Sequence, residues 1–369
     1  MKNIAIVGTL ALLGGMAVST ARADILVGIG TATTGAVAAL GEQSVIGAHQ
    51  AIDDINAKGG VLGQKLQLKV GDDACDPKQA VAVANQFVAD KVVAVDGHLC
   101  SGAAIPAADI YHEEEIVMVT PTATNPKLTE HGYDSIFRVC GRDDQQGVVS
   151  GSYLASHFKG KNIAIVDDKQ AYGAGLADVV AATLEKAGIK IVYRGAVTPG
   201  EKDFRTLIGR LKEDKVDAVY YGGYHPELGL IIRQAREQGL TSQFVAGDGL
   251  NNAEFWSITG TAGQGTLYTD SSSAAQNPAA QVVTDEFTKG GHADAGNFAY
   301  YSYAAVQVIA QGLAKAGAAD SVKLAAALHA GSFDTIVGNI QFDKKGDVVK
   351  PSYVLYEWRD GKNVPVSGQ

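Results

Sequence analysis

Basic residues never gather in this chain of 369 residues. No run of lysine or arginine is longer than two, and 40 acidic side chains outnumber 31 basic ones, for a formal net charge of −9 and an isoelectric point near 5.4. A surface built for nucleic acid or anionic lipid is thereby excluded. Cysteine is equally scarce, with three residues, and the length suits two domains with full cores rather than a small disulfide-stapled scaffold. The 9 prolines and 44 glycines are spread along the chain, which excludes collagen and disorder. Past the first two dozen residues no apolar run reads as a membrane span.

Catalytic motifs are missing too. The chain has no G-x-x-x-x-G-K-[ST], no H-E-x-x-H, no C-x-x-C and no G-x-S-x-G, which removes the common signatures of nucleotide hydrolysis, zinc proteolysis, thiol exchange and serine hydrolysis. Gly28-Ile29-Gly30 begins a dinucleotide-type turn, but Thr33 stands where the third glycine belongs, and Gly173-Ala174-Gly175 lacks that glycine as well. The eight histidines have no ligand spacing and read as surface or capping residues. No catalytic residue, metal site or cofactor is expected.

What is present begins with an export signal. Lys2 supplies the positive end, Ile4 to Val18 is apolar and small, and Ala21-Arg22-Ala23 gives an A-x-A pattern before Asp24. The apolar run, about 15 residues, falls short of the ~20 that a spanning helix needs, so residues 1–23 read as a signal removed after Ala23. Export to an oxidising compartment favours a disulfide, and the sequence permits three pairings among Cys75, Cys100 and Cys140.

Beyond Asp24, apolar β-rich runs alternate with amphipathic helical windows, the pattern of a mostly parallel sheet covered by helices on both faces. The pattern runs twice. The first round predicts strands near 25–29, 65–70, 92–95 and 116–119, with helices near 42–56, 77–89 and 103–113. Asp76-Pro77 marks one helix start by a cap followed by proline at the first helical position. The second round predicts strands near 162–166, 190–193, 218–221 and 244–246, with helices near 173–187, 204–212, 227–237 and 253–258. After about residue 272 helices follow near 278–287, 298–316 and 322–329, then a strand near 353–358. These pieces are too few for a third sheet and should return to the first two units. The fold class is therefore α/β, as two doubly wound lobes.

In such sheets ligands bind outside the carboxyl ends of the strands. The strand at 92–95 runs into Asp96-Gly97-His98-Leu99-Cys100-Ser101 and a helix, which aims the Ser101 hydroxyl and nearby N–H groups out of a helix N-terminus, a site for an anion. Ser101 reads equally as a simple cap. The strand at 116–119 runs into Thr120-Pro121-Thr122-Ala123-Thr124-Asn125-Pro126, a polar loop able to serve both a carboxylate and an ammonium, or to act as an ordinary turn. In the second unit Gly247-Asp248-Gly249 places a carboxylate at a strand end, where an ammonium is its natural partner or a following helix its cap. Tyr172 and Tyr224 also follow strands, and Phe298 begins a late helix; core packing would explain these three as well.

Four blocks carry a resemblance: Asp72-Asp73-Ala74-Cys75-Asp76-Pro77-Lys78-Gln79-Ala80, Gly97-His98-Leu99-Cys100-Ser101, Asp168-Lys169-Gln170-Ala171-Tyr172-Gly173 and Tyr220-Tyr221-Gly222-Gly223-Tyr224-His225-Pro226-Glu227. Together they resemble the periplasmic leucine/isoleucine/valine-binding proteins, over essentially the whole chain from Asp24 to about Trp358. The resemblance implies a type I periplasmic binding protein: two lobes joined by a three-segment hinge, crossing near residues 142, 271 and 350, which close on a free amino acid. The lobes would be 24–142 with 272–350 and 143–271 with 351–369. It implies delivery to the membrane permease of an ABC importer, a periplasmic location, a monomer and no nucleic-acid partner. By position, Ser101 and the N–H groups of Ala123 and Thr124 would hold the α-carboxylate. The Thr122 carbonyl, the Thr124 hydroxyl and Asp248 would receive the ammonium. Leu40, Leu99, Tyr172, Tyr224 and Phe298 would line the side-chain pocket. The family also pairs cysteines matching Cys75 and Cys100, which leaves Cys140 as a buried thiol.

Two positions depart from the pattern: Asp248 stands where the branched-chain binders typically carry glutamate, and Leu40 where an aromatic wall is usual. A carboxylate one methylene shorter suits an ammonium set differently, as in proline or γ-aminobutyrate, and a leucine wall widens the pocket. Since a methylene alters discrimination by only ~1–3 kcal/mol, leucine, isoleucine and valine remain the expected ligands. A dehydrogenase of doubly wound fold is the enzyme alternative, opposed by the missing phosphate loop and base. A soluble sensor lobe for a membrane receptor is the other alternative.

Overall fold

The computed structural model describes residues 23–366. The expected signal segment lies, except for Ala23, outside the described residues. The first round of the alternating pattern runs β1 (Ile25–Thr31), α1 (Ala38–Ala57), β2 (Leu66–Asp72), α2 (Pro77–Ala89), β3 (Ala94–Gly97), α3 (Ser101–Glu113), β4 (Val117–Thr120), a single turn α4 (Lys127–Glu130) and β5 (Ile136–Arg138). The second runs α5 (Asp143–His157), β6 (Ile163–Asp167), α6 (Ala171–Lys186), β7 (Ile191–Ala196), α7 (Arg205–Glu213), β8 (Ala218–Gly222), α8 (His225–Glu237), β9 (Gln243–Ala246), α9 (Ala253–Thr259) and β10 (Leu267–Ser271). Then come α10 (Gln281–Lys289), α11 (Asn297–Ala316), α12 (Ser321–Ala330), the short pair β11 (Phe333–Thr335) and β12 (Gly338–Ile340), and finally β13 (Tyr353–Arg359) and β14 (Lys362–Pro365).

These elements build two sheets. One is parallel, in the order β2-β1-β3-β4-β5; the other follows β14-β13-β10-β9-β8-β6-β7 and is parallel except where β13 pairs antiparallel with β10 and β14. Central strands such as β3, β4, β6 and β8 are buried along their whole length, as expected of strands covered on both faces. The late helices do return to the first sheet. Ala299, Ala304, Val308 and Leu313 of α11 share one apolar cluster with Val27, Ile29, Val117 and Val119, against which α1 also packs through Ala48 and Ala51. The chain passes from one sheet to the other three times: after β5, after β10 and before β13. Among the described residues no helix is long and apolar enough to cross a membrane.

Local chemistry explains where elements begin. Asp76 caps α2 by accepting from the N–H groups of Lys78 and Gln79, and Pro77 occupies the first helical position. Helix α5 was not visible in the pattern. Its facing residues are glycines rather than large apolar side chains, so the helical period carries no hydrophobic signal. A Cβ at Gly147 would stand 2.7 Å from Val179 and one at Gly151 would stand 2.6 Å from Thr183, which is how α5 packs tightly on α6. Strands β5, β10, β11, β12 and β14 were also unforeseen: β5, β11 and β12 span only three residues each, and β10 is the polar but fully buried Leu267-Tyr268-Thr269-Asp270-Ser271.

Candidate functional site

The carboxyl ends of β3 and β4 lie side by side and their loops are bonded into one platform. Cys100 caps α3 with an extended backbone and no side-chain bond, so Ser101 is the first helical residue rather than the cap. The N–H groups of Ala103 and Ala104 both go to the Cys100 carbonyl, and those of Ser101 and Gly102 stand in the first turn, where a helix offers no internal partner. The Ser101 hydroxyl accepts from the Asn125 N–H at 3.1 Å and keeps its own proton to donate. From the β4 side, the Thr122 hydroxyl donates to the Leu99 carbonyl at 3.0 Å and the Thr120 hydroxyl to the His98 carbonyl at 2.9 Å.

One expectation changes here. The Ala123 N–H donates to Thr120 Oγ1 at 3.0 Å, closing a turn on the threonine side chain, so it is already engaged within the chain. Among the described residues the Thr124 N–H has no backbone partner, and the buried Thr124 hydroxyl lies beside the Asp143 carboxylate, whose charge it favours. Within the platform the Ser101 hydroxyl retains a proton to donate and the Thr124 N–H has no backbone partner among the described residues, while Ala123 is buried.

Behind the platform the pairing of Cys75 with Cys100 is present, with Cα atoms 5.5 Å apart across a separation of 25 residues, and Cys140 is free and buried. Burial pushes the Cys140 thiol well above its ordinary range. His98 is not the surface residue expected. It is wholly buried, with Nδ1 2.6 Å from Asp73 and Nε2 2.9 Å from the Tyr111 hydroxyl, while Asp73 also accepts from the Cys75 N–H at 2.8 Å. The disulfide and this buried relay together clamp the β2–α2 turn to the start of α3.

The opposite wall comes from the second sheet. Tyr172 sits in the first turn of α6, which approaches β8 closely because Gly173 has no side chain: a Cβ there would stand 2.4 Å from the Gly222 carbonyl. The half-motif of glycines serves packing, and Gly175 likewise faces Asn125 of the other lobe. The Tyr172 hydroxyl donates to Asp248 Oδ1 at 2.7 Å and accepts from the Gly249 N–H at 3.1 Å, and its ring leans on Tyr224 with centroids 5.0 Å apart. Asp248 heads a short turn after β9, and its N–H donates to Gln146 Oε1 at 3.1 Å.

Two acidic neighbours of Asp248 escaped the sequence reading. Asp143, the first residue of α5, is wholly buried with its carboxylate beside the Thr124 hydroxyl, and its N–H donates to the Thr124 carbonyl at 3.0 Å. Asp270, at the end of β10, is buried and receives Asn251 and Asn297. Burial raises the Asp248 carboxyl from 3.8 to about 6 against the hydrogen bonds from Tyr172 and Gln146, which favour its charge. Burial first, and then the charge of Asp248, push Asp143 and Asp270 well above the carboxylate range. The nearby guanidinium of Arg138 is already paired with Asp347. Two buried carboxyl groups, Asp143 and Asp270, thus share this corner with the half-buried Asp248.

Leu40, Leu99, Tyr172, Tyr224 and Phe298 are all buried and belong to one apolar cluster that spans both lobes. The lobes meet: Asn125 Nδ2 donates across to the Ala171 carbonyl at 2.6 Å. Among the residues singled out from the sequence, the structure joins Ser101 to the loop that holds Thr122, Ala123 and Thr124, joins Tyr172 to Asp248 and Tyr224, and packs Leu40, Leu99 and Phe298 into the same apolar cluster.

The chain matches the family described as periplasmic binding protein over residues 24–363. It is 46% identical over 347 residues to a Leu/Ile/Val-binding protein of Rhizobium johnstonii, covering 93% of this chain and 94% of that protein. It is 44% identical to a leucine-, isoleucine-, valine-, threonine- and alanine-binding protein of Pseudomonas aeruginosa, covering 95% and 94%. Among solved structures it resembles a leucine-binding protein from Thermotoga maritima, with a TM-score of 0.86 at 28% identity, covering 93% of this chain and 98% of that one. It also resembles the branched-chain amino acid transporter substrate-binding protein of Streptococcus pneumoniae in complex with isoleucine, with a TM-score of 0.84 at 25% identity, covering 93% and 99%.

Proposed function

The chain belongs to the periplasmic binding protein family, and from that premise we propose that it captures a free aliphatic amino acid, leucine, isoleucine or valine, between its lobes and delivers it unchanged to an ABC importer. The observation that carries the proposal is the polarity of the cleft. In this reading the Ser101 hydroxyl proton and the Thr124 N–H serve the ligand's carboxylate, and the half-buried Asp248 and buried Asp143 serve its ammonium, helped by the Thr122 carbonyl and the Thr124 hydroxyl. A zwitterion supplies both missing charges at once, where charge-assisted hydrogen bonds are strong.

Leu40, Leu99, Tyr172, Tyr224 and Phe298 hold the aliphatic side chain. Each lobe carries part of the set, so the ligand binds the closed form better than the open one. In this reading the lobes are 24–142 with 272–350 and 143–271 with 351–369. The mature protein begins after cleavage at Ala23, acts in the periplasm as a monomer and presents its closed lobes to a membrane permease.

A thermal-shift panel of the common amino acids with proline and γ-aminobutyrate tests this, because a ligand specific for the folded state raises its melting temperature. Leucine, isoleucine and valine are expected to give the largest shifts, with calorimetric affinity micromolar or tighter, about 8 kcal/mol or more. Larger shifts from proline or γ-aminobutyrate would move the assignment to ligands suited to the short Asp248. No shift from any amino acid would refute it, and chemical turnover of a ligand would refute the carrier role.

A further inference from the structure

The loop that bears Thr122, Ala123 and Thr124 rests on an arginine. Arg138, in β5 and wholly buried, donates through Nη1 to the carbonyls of Ala123 at 2.9 Å and Asn125 at 3.1 Å, and through Nη2 to the Thr129 hydroxyl at 2.7 Å. Those two carbonyls flank Thr124. The counter-charge comes from far along the chain: Asp347 Oδ1 lies 2.6 Å from Arg138 Nε. The other oxygen of Asp347 accepts from Arg142 Nη1 at 2.7 Å, and the Thr129 hydroxyl reaches both oxygens, at 2.9 and 3.1 Å. The backbone is drawn in as well, since the Arg138 N–H donates to the Gly346 carbonyl at 2.9 Å.

Arg142 immediately precedes α5, where the chain first leaves the first sheet, and Asp347 lies just before the third passage into β13. One buried carboxylate therefore joins the platform loop to two of the three strands of chain that connect the lobes. The remaining acids around Arg142, Glu130 and Asp144, bind it at 2.8 Å each from exposed positions.

We propose that Asp347 is a positioning residue for ligand binding: through Arg138 it sets the orientation of the peptides on either side of Thr124, and through Arg142 it ties that orientation to the path between the lobes. The proposal rests on the amino-acid site described above. Replacing Asp347 by a neutral residue leaves the buried Arg138 guanidinium without its counter-ion, and an uncompensated buried charge pulls towards water rather than holding its carbonyls in place. The loss then falls on the carboxylate and ammonium contacts that every amino-acid ligand shares, and not on the side-chain pocket.

The test is Asp347→Asn, with calorimetry on leucine, isoleucine and valine and amide hydrogen exchange on the unliganded protein. The expected result is the same weakening, tenfold or more, for every ligand that the wild type binds. Faster exchange should appear at Ala123 and Asn125, whose amides are bonded within the platform, with the core of the first sheet unchanged. Affinities within twofold of wild type would overturn the proposal, as would a loss fully explained by the unfolded fraction at the assay temperature. Thr129→Val, which removes only the hydroxyl between Arg138 and Asp347, provides the second variant if Asp347→Asn does not fold. It should weaken binding three- to fivefold with the same local exchange signature, and unchanged binding would count against the role. Should the wild type bind none of the three ligands, the amino-acid reading fails on its own, and exchange at Ala123 and Asn125 still decides whether Asp347 positions the loop.

Discussion

Replacing Asp248 by asparagine should move stability and affinity in opposite directions. The carboxyl is held near 6 instead of 3.8 because burial disfavours its charge. At neutral pH the ionised form is therefore costlier in the folded chain than in the unfolded one, by at most about 3 kcal/mol on the usual conversion of a pKa difference into free energy. Asparagine keeps an oxygen to accept from the Tyr172 hydroxyl, at present 2.7 Å from Oδ1, and removes the charge. The unliganded variant should thus melt at a higher temperature than the wild type at pH 7.5, by part of that amount. Ligand binding should suffer, because the ammonium loses a charge-assisted partner worth about 1.5–3 kcal/mol. At about 1.4 kcal/mol per decade this is roughly a 10- to 150-fold loss. Differential scanning calorimetry of the unliganded proteins and titration calorimetry with leucine measure the two effects separately. Unchanged affinity would refute the role given to Asp248, and a lower melting temperature in the unliganded variant would refute the account of its raised pKa.

The pH dependence follows from the same group. As pH falls through 6, Asp248 takes up a proton and the ammonium loses this counter-charge, so wild-type affinity for leucine should drop about tenfold between pH 7.5 and 5, and Asp248→Asn should lose this component of the pH dependence. Stability of the unliganded wild type runs the other way: for an acid with a raised folded pKa this contribution is complete below 3.8 and is lost as pH rises through about 6, and Asp143 and Asp270 share its sign. Gly175→Ala should raise helix stability by up to about 1 kcal/mol yet weaken binding three- to tenfold by calorimetry, since its Cβ would stand 2.6 Å from Asn125 Nδ2, the group that bridges the lobes. Cys75→Ser should cost about 3 kcal/mol in denaturant unfolding, for a closed loop of 25 residues, and weaken binding because Cys100 caps the helix that carries Ser101. An unchanged unfolding midpoint under oxidising conditions would contradict that value.

Most of the candidate site is legible because parallel sheets place their loops at strand ends, and strand ends are marked by a switch from apolar runs to Gly, Ser, Thr and Asp. That switch singles out Ser101, Thr122, Thr124 and Asp248. It does not single out Asp143, which stands in the acidic run Asp143-Asp144-Gln145-Gln146 at a helix start and looks like ordinary first-turn charge. Only the glycine-faced packing of α5 against α6 carries Asp143 and Gln146 inward. A signal did exist in Gly147 and Gly151, four residues apart, the spacing of a close helix contact. Arg138 was hidden for a different reason: a wholly buried arginine in a three-residue strand is intelligible only with Asp347, more than two hundred residues later. The engagement of the Ala123 N–H depends on the χ1 of Thr120, which no pattern of residue types encodes.

The return of the late helices to the first sheet also sets an order of assembly. A chain made from its N-terminus completes β1 to β5 early, but the face formed by Val27, Ile29, Val117 and Val119 is covered by α11, and α11 emerges only after every parallel strand of the second sheet has been made. Until then the first lobe carries an apolar sheet face with half its cover missing. The second lobe waits only for β13 and β14 at its edge. The lobe made first is thus completed only after most of the lobe made second, and the β1–β4 face is the surface on which a partly folded chain would aggregate.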